Sequence, residues 1–207
     1  MERSRKPIPP ATTPSGVSAG ASARDEPGRW EVVERQTLQD CAVFSVERAT
    51  SRSPQTGEDH PFYRIEASDW VNVVAVTPDD EIVMVRQFRH GAATVTLEIP
   101  GGIIDPGEQP IESAARELLE ETGYCAGSVE PLGSVNPNPA LFGNRVHTFL
   151  ARDARAVAAV SNPGHEETVV ELVPRSELST RTREGRIDHA LVIAALYWYD
   201  RHLEGAP

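Results

Sequence analysis

At 207 residues the chain has the length of one domain with a sizeable core. Its 39% hydrophobic and 25% charged content suits a globular protein, and no apolar run approaches the roughly 20 residues of a membrane span. The net charge of −11 argues against a nucleic-acid partner, and two cysteines, Cys41 and Cys125, make no disulfide framework, so a reducing cytoplasm is the expected setting.

Residues 1–28 are rich in Pro, Ser, Ala, Gly and Thr and read as a disordered tail ahead of a domain over 29–207. Arg3, Arg5 and Lys6 open the tail, but no apolar segment follows, so a secretory signal is not expected. Pro7, Pro9, Pro10 and Pro14 oppose the amphipathic helix of a transit peptide. From Trp30 the pattern turns to strands: Trp30–Leu38, Cys41–Arg48 and Phe62–Ile65, with a loop over Ser51–His60. Val71–Thr77 and Ile82–Phe88 are rich in β-branched residues, and Pro78-Asp79-Asp80 makes the turn between them. Val95–Ile99 leads into a glycine-rich loop. A helix then starts at Pro110, whose missing N–H is unpaired in a first turn anyway, and stops at Gly123. Val129–Val135, Arg145–Leu150 and Thr168–Val173 read as strands, Ser176 to Glu184 as a short helix, and Asp188 to Arg201 as a final helix. Strands mixed with few helices predict an α+β domain, a mixed sheet flanked by helices with antiparallel strands at its N-terminal end.

The mid-chain helix carries the chemistry. Ile111, Ala115, Leu118, Leu119 and Thr122 fall on one stripe at about 100° per residue. Glu117, Glu120 and Glu121 fall on the roughly opposite face as i, i+3 and i+4 neighbours. Like charges at that spacing repel, so the helix is weakened unless cations offset them. Arg116 offsets part, and a divalent ion would offset the rest, since magnesium takes a few carboxylates with waters and substrate phosphates. The lead-in Pro100-Gly101-Gly102 and Asp105-Pro106-Gly107-Glu108 is rich in turn residues, and its glycines let backbone approach a ligand.

Gly102, five residues, Glu108, seven residues and then Arg116-Glu117-Leu118-x-Glu120-Glu121-x-Gly123 resembles the Nudix box of the Nudix hydrolases at all seven fixed positions. Tyr124 stands where that pattern usually has an aliphatic residue, a difference of packing. Ser68–Val74, Val85–Arg89, Leu97–Gly102 and Glu184–Asp188 resemble the branch that hydrolyses ADP-ribose and nucleotide sugars. The resemblance implies an α/β/α sandwich and magnesium-dependent cleavage of a nucleoside diphosphate sugar, giving AMP and a sugar phosphate from ADP-ribose. Manganese is the alternative ion. It implies metal ligation by Glu117, Glu120, Glu121 and the Gly101 carbonyl, with Arg116 orienting Glu120 and Glu108 supporting from behind. It also implies a ligand or general base on the loop before a late strand, where Glu166 fits best and Glu167 next. Gly164 and His165 stand where relatives often carry a second acid. Arg86 and Arg89 are candidates for phosphate or ribose, Gly102 for close substrate contact, and Trp30 and Trp70 for stacking on adenine. Arg86 and Arg89 lie three apart in a strand, so they are not expected to reach one ligand. The resemblance implies a homodimer with the early strands near the partner's site. Two other readings are a Nudix hydrolase of another nucleotide sugar or a dinucleotide, and a non-catalytic nucleotide-binding regulator. Retention of every box carboxylate speaks against the regulator.

Overall fold

The computed structural model describes residues 26–162 and 167–205, so most of the expected tail and Glu166 itself lie outside the described residues. Twelve strands and three α-helices run in the order β1 (Glu31–Asp40), β2 (Phe44–Arg52), β3 (Asp59–Ala67), β4 (Trp70–Ala75), β5 (Glu81–Arg89), β6 (Thr94–Glu98), β7 (Gly101–Ile103), α1 (Pro110–Thr122), β8 (Tyr124–Cys125), β9 (Ser128–Val135), β10 (Val146–Arg152), β11 (Arg155–Ala156), β12 (Thr168–Pro174), α2 (Leu178–Arg183) and α3 (Ala190–Gly205). The central sheet has the order β7-β4-β10-β9 and is mixed: β4 and β10 run parallel, and the other pairs are antiparallel. Beside it lie an antiparallel sheet β12-β5-β6 and the N-terminal antiparallel sheet β1-β2-β3.

Two cores follow from the period of two in the strands. Val71, Val73 and Ala75 of β4, with Phe149 and Ala151 of β10, face Ala114 and Leu118 of α1. The intervening Val74 and Leu150, with Ile82 and Met84 of β5, face Val192, Ala195, Leu196 and Tyr199 of α3. Each fully buried aliphatic side chain contributes about 1.5–3 kcal/mol. The result is the expected layered arrangement, helix on sheet on helix, with β1–β3 set apart from both cores.

The elements differ from the sequence reading at several points, and the expected loop Ser51–His60 is shortened at both ends by β2 and β3. Gly101-Gly102 is not only a turn-rich lead-in: it forms β7, pairing Asn72 with Gly101 and Val71 with Gly102. The glycine is needed for close approach, because a Cβ on Gly101 would collide with the Val71 carbonyl and lie 2.9 Å from Asn72 Cα. Helix α1 begins and ends where the sequence predicts, with Gly123 in the left-handed region at φ 72°. Its buried face, however, is Ser113, Ala114, Leu118, Glu121 and Thr122, while Ile111 and Leu119 are exposed. The helix is turned so that part of its acidic side meets the sheet, because Glu121 takes a backbone N–H there. Helix α3 starts two residues after Asp188 and continues to Gly205.

Candidate active site

A cavity of about 760 Å³ opens between α1, β4, β7 and the start of α3. Gly101, Gly102, Arg116, Glu117, Glu120 and Glu121 all line it. Arg116 organises the acidic group. Its Nε and Nη2 each donate to Glu108 at 3.0 Å, a bidentate pair. Nη1 donates to Glu117 Oε1 at 2.9 Å and to Glu120 Oε2 at 3.2 Å. Nη2 also reaches the Ile103 carbonyl at 3.2 Å, which ties α1 to the end of β7. The hydrogen bond to Glu108 is the main reason the guanidinium pKa lies above its ordinary value; burial opposes the shift and Glu117 reinforces it. Glu108 is held below the usual carboxylate range by the same contact.

Glu117 and Glu120 therefore share one nitrogen, which offsets their mutual repulsion. Glu117 lies directly against Gly102, where a Cβ would collide with its carboxylate oxygens. Glu121 is buried and accepts the Gly101 N–H at 2.9 Å, so it pins β7 to α1. Among the described residues no three acidic, imidazole or thiol groups are arranged to hold a metal ion by themselves. Two hard-oxygen carboxylates are nevertheless what magnesium takes when waters and phosphates complete its shell. The close cradle at Gly102 and the single arginine among four carboxylates fit a divalent cation.

The flanks of the loop carrying Glu166 are tied to the same turn of α1. Ser161 N donates to the Glu120 carbonyl at 2.9 Å, and Thr168 Oγ1 donates to the Glu121 carbonyl at 2.8 Å. Asn162 Nδ2 closes the loop neck with a 3.0 Å bond to Thr168 Oγ1. The described neighbour Glu167 is exposed and lines an adjoining hollow of about 540 Å³, which shares Gln87 and Arg89 with the main cavity.

The other candidates divide. Arg89 lines the main cavity and forms a bidentate pair with Glu98, at 2.8 Å for each bond. Burial pushes the Glu98 carboxyl up, but the bonds from Arg89 and Thr96 outweigh it and hold the group below its usual range. Arg86 pairs with Glu171 at 2.6 Å and lines the adjoining hollow with Phe88, His90 and Glu167, and Arg89 and Gln87 line both spaces. Trp70 lines the main cavity, edge-on to Phe142 at 5.8 Å. Trp30 is not among the residues lining it and packs edge-on against His60 and Phe62 beside the N-terminal sheet. His147 is a satisfied strand histidine, 2.9 Å from Asp69 Oδ2.

Asn72, Gln87, Glu98 and His189 also line the cavity, and sequence reasoning assigned them no role. The signal was present for two of them. Asn72 interrupts Val71-Asn72-Val73-Val74 and Gln87 interrupts Val85–Phe88, strands otherwise apolar enough to be buried on both faces.

The sequence profile of the NUDIX domain matches residues 69–196, which hold the box and most of both cores and of the cavity lining. The chain is 31% identical to an ADP-ribose pyrophosphatase of Mycobacterium tuberculosis, over 81% of each chain. It is 29% identical to an ADP-sugar pyrophosphatase of Mus musculus, over 89% of this chain and 92% of that one. The crystal structure of an ADP compounds hydrolase superposes with a TM-score of 0.77 at 22% identity, covering 88% of this chain and 98% of that one, a likeness of fold. With the box complete and the carboxylates gathered on Arg116 at the mouth of β7, the chain belongs to the Nudix family of hydrolases.

Proposed function

We propose that the protein hydrolyses the diphosphate bond of ADP-ribose or a related nucleoside diphosphate sugar, releasing AMP and a sugar phosphate, with magnesium as cofactor. The observation that carries this reading is the pairing of Glu117 and Glu120 on Arg116 against Gly102, inside a cavity of nucleotide size. The names of the relatives from Mycobacterium tuberculosis and Mus musculus support the substrate class.

Glu117 and Glu120 would hold the metal, with Glu121 and the Gly101 carbonyl behind them. The bound ion supplies charge for the diphosphate oxygens and lowers the pKa of water. Arg116 keeps the two carboxylates oriented and stays anchored through Glu108 when they turn toward the ion. Trp70 and Phe142 offer aromatic faces for a base, and Arg89 offers its guanidinium edge to a phosphate. Glu166 is assigned the proton-accepting role, because both flanks of its loop are bonded to carbonyls of the acidic turn.

The test is product analysis over a panel of nucleoside diphosphate compounds at fixed magnesium. AMP and ribose 5-phosphate should form fastest from ADP-ribose or another ADP-sugar. Equal or faster turnover of dinucleotides or nucleoside triphosphates would refute the substrate assignment.

The same reading includes a homodimer. Trp30, Val32, Leu38, Phe62 and Tyr63 stand exposed on and beside the N-terminal strands, apolar surface that a partner would cover. No helix among the described residues is long and apolar enough to cross a membrane. A second copy of the chain is the proposed cover, and the proposed setting is the cytoplasm. Light scattering should give twice the 22.6 kDa chain mass; a mass of one chain at micromolar concentration would contradict it.

A further inference from the structure

Arg116 has a working end and a seated end. Nη1 donates to Glu117 and Glu120, the two carboxylates assigned to the metal. Nε and Nη2 donate elsewhere: to Glu108, to the Ile103 carbonyl at 3.2 Å and to Ser113 Oγ at 3.0 Å. The seat rests on fixed backbone. Ile103 pairs with Trp70 in the β7–β4 ladder, and Ile104 N donates to the Asp69 carbonyl at 3.0 Å. Glu108 is held from the loop side as well, by the Asp105 N–H at 3.3 Å.

Ser113 is the helix's own contribution to the seat. It lies three residues before Arg116 on α1, so the two side chains share a face, and it is fully buried where α1 meets β7. A serine inside a helix commonly returns its hydroxyl to the carbonyl four residues back. Here the Gln109 carbonyl takes the Ser113 N–H at 3.0 Å, and the hydroxyl turns to β7, 3.4 Å from the Ile103 carbonyl. It accepts from the guanidinium and offers its proton to the same carbonyl that the guanidinium uses. Packing does not call for a hydroxyl there. Ala114 and Leu118 share the buried face of the helix, and alanine would fill the serine's place with better helix propensity.

The guanidinium and a divalent ion compete for the same two carboxylates. When Glu117 and Glu120 turn to the ion, Nη1 loses its partners, and Arg116 keeps only its seat. A guanidinium free to follow the carboxylates would bring a positive charge toward the ion and weaken its binding. We infer that Ser113 is a positioning residue: its hydroxyl holds the Arg116 guanidinium back at β7 and so sets the affinity of the acidic face of α1 for divalent ions. This rests on the metal reading above and deepens it. Ser113 takes no part in the bond cleavage.

The experiment is manganese binding without substrate, read by electron paramagnetic resonance, in which the free ion gives the signal and the bound ion loses it. Wild type, Ser113→Ala and Ser113→Thr are compared, and each is also melted without metal. Ser113→Ala should raise the manganese Kd about fivefold, less than the roughly 10–100-fold typical of a group bonded directly to a ligand. Its metal-free melting temperature should stay within about 2 °C of wild type, because Ala keeps the packing and Nη2 keeps two acceptors. Ser113→Thr retains the hydroxyl and should hold the Kd within about twofold, whatever its methyl does to the melting temperature. Unchanged affinity in Ser113→Ala, equal loss in both variants, or a loss in Ser113→Ala matched by a fall of several degrees in melting, would overturn the positioning role and leave the metal reading standing. Wild type that takes up no manganese would overturn the metal reading, and the role of Ser113 with it.

Discussion

Glu120→Gln lowers turnover about a thousandfold and leaves the melting temperature within a few degrees of wild type. The size follows from charge: a few kcal/mol of transition-state stabilisation is lost when one carboxylate no longer holds the cation, and about 4 kcal/mol is a thousandfold in rate. The stability half follows from position. Glu120 is about a third exposed and its carboxylate accepts a 3.2 Å bond from Arg116 Nη1, which also bonds Glu117. Arg116 keeps its bidentate hold on Glu108 in the variant. A partly exposed ion pair of this kind contributes little to folding. Saturating-substrate kinetics and thermal denaturation on the same preparation check both halves. Turnover within tenfold of wild type would remove Glu120 from the chemistry and favour the binding-module reading.

Gly101→Ala has the largest expected effect on the fold. The added methyl meets the Val71 carbonyl and lies 2.9 Å from Asn72 Cα and 3.1 Å from Asn72 Cβ, so it strikes mainly the backbone of β4. Backbone in the centre of a mixed sheet does not move aside as a flexible side chain does. Strand β7 must lift instead, which breaks its pairing with Trp70, Val71 and Asn72 and the Gly101 N–H bond to Glu121. Overpacking and a lost bond to a buried carboxylate together cost about 3 kcal/mol or more. For a domain of this size that lowers the melting temperature by about 6–12 °C. Activity should fall with it, because Glu121 loses the contact that fixes α1 against β7. Gly107→Ala is the control in the same segment: no atom lies within 4 Å of its Cβ position, although its φ of 87° adds backbone strain. A Gly101→Ala protein as stable as wild type would show that β7 is not held where described.

The residues that carried the sequence reading were those whose meaning is local. Pro110 and Gly123 set the ends of α1 because a first turn and a left-handed cap each need a particular backbone, and neither depends on distant chain. The box was legible because its spacing is itself a geometry: loop, then helix, with three acids within one turn. The rotation of α1 was not legible. Apolar periodicity put Ile111 and Leu119 inward, but a buried carboxylate paired to a backbone N–H outweighs two partly exposed aliphatic side chains. Gly101 read as a turn because glycine marks turns and close approaches alike, and only the neighbouring strand decides between them. Strand parity did not separate Arg86 from Arg89, since both line the outer hollow, and their partners Glu171 and Glu98 depended on which strands flank β5.

The most direct test is calorimetric titration of magnesium, and then manganese, into the wild-type protein and into Glu117→Gln/Glu120→Gln, each with the α,β-methylene analogue of ADP-ribose present. The account predicts saturable uptake by wild type and its loss in the double variant. Heat of binding that is absent from wild type, or identical in the two proteins, would contradict the claim that this face of α1 holds the ions that grip a diphosphate.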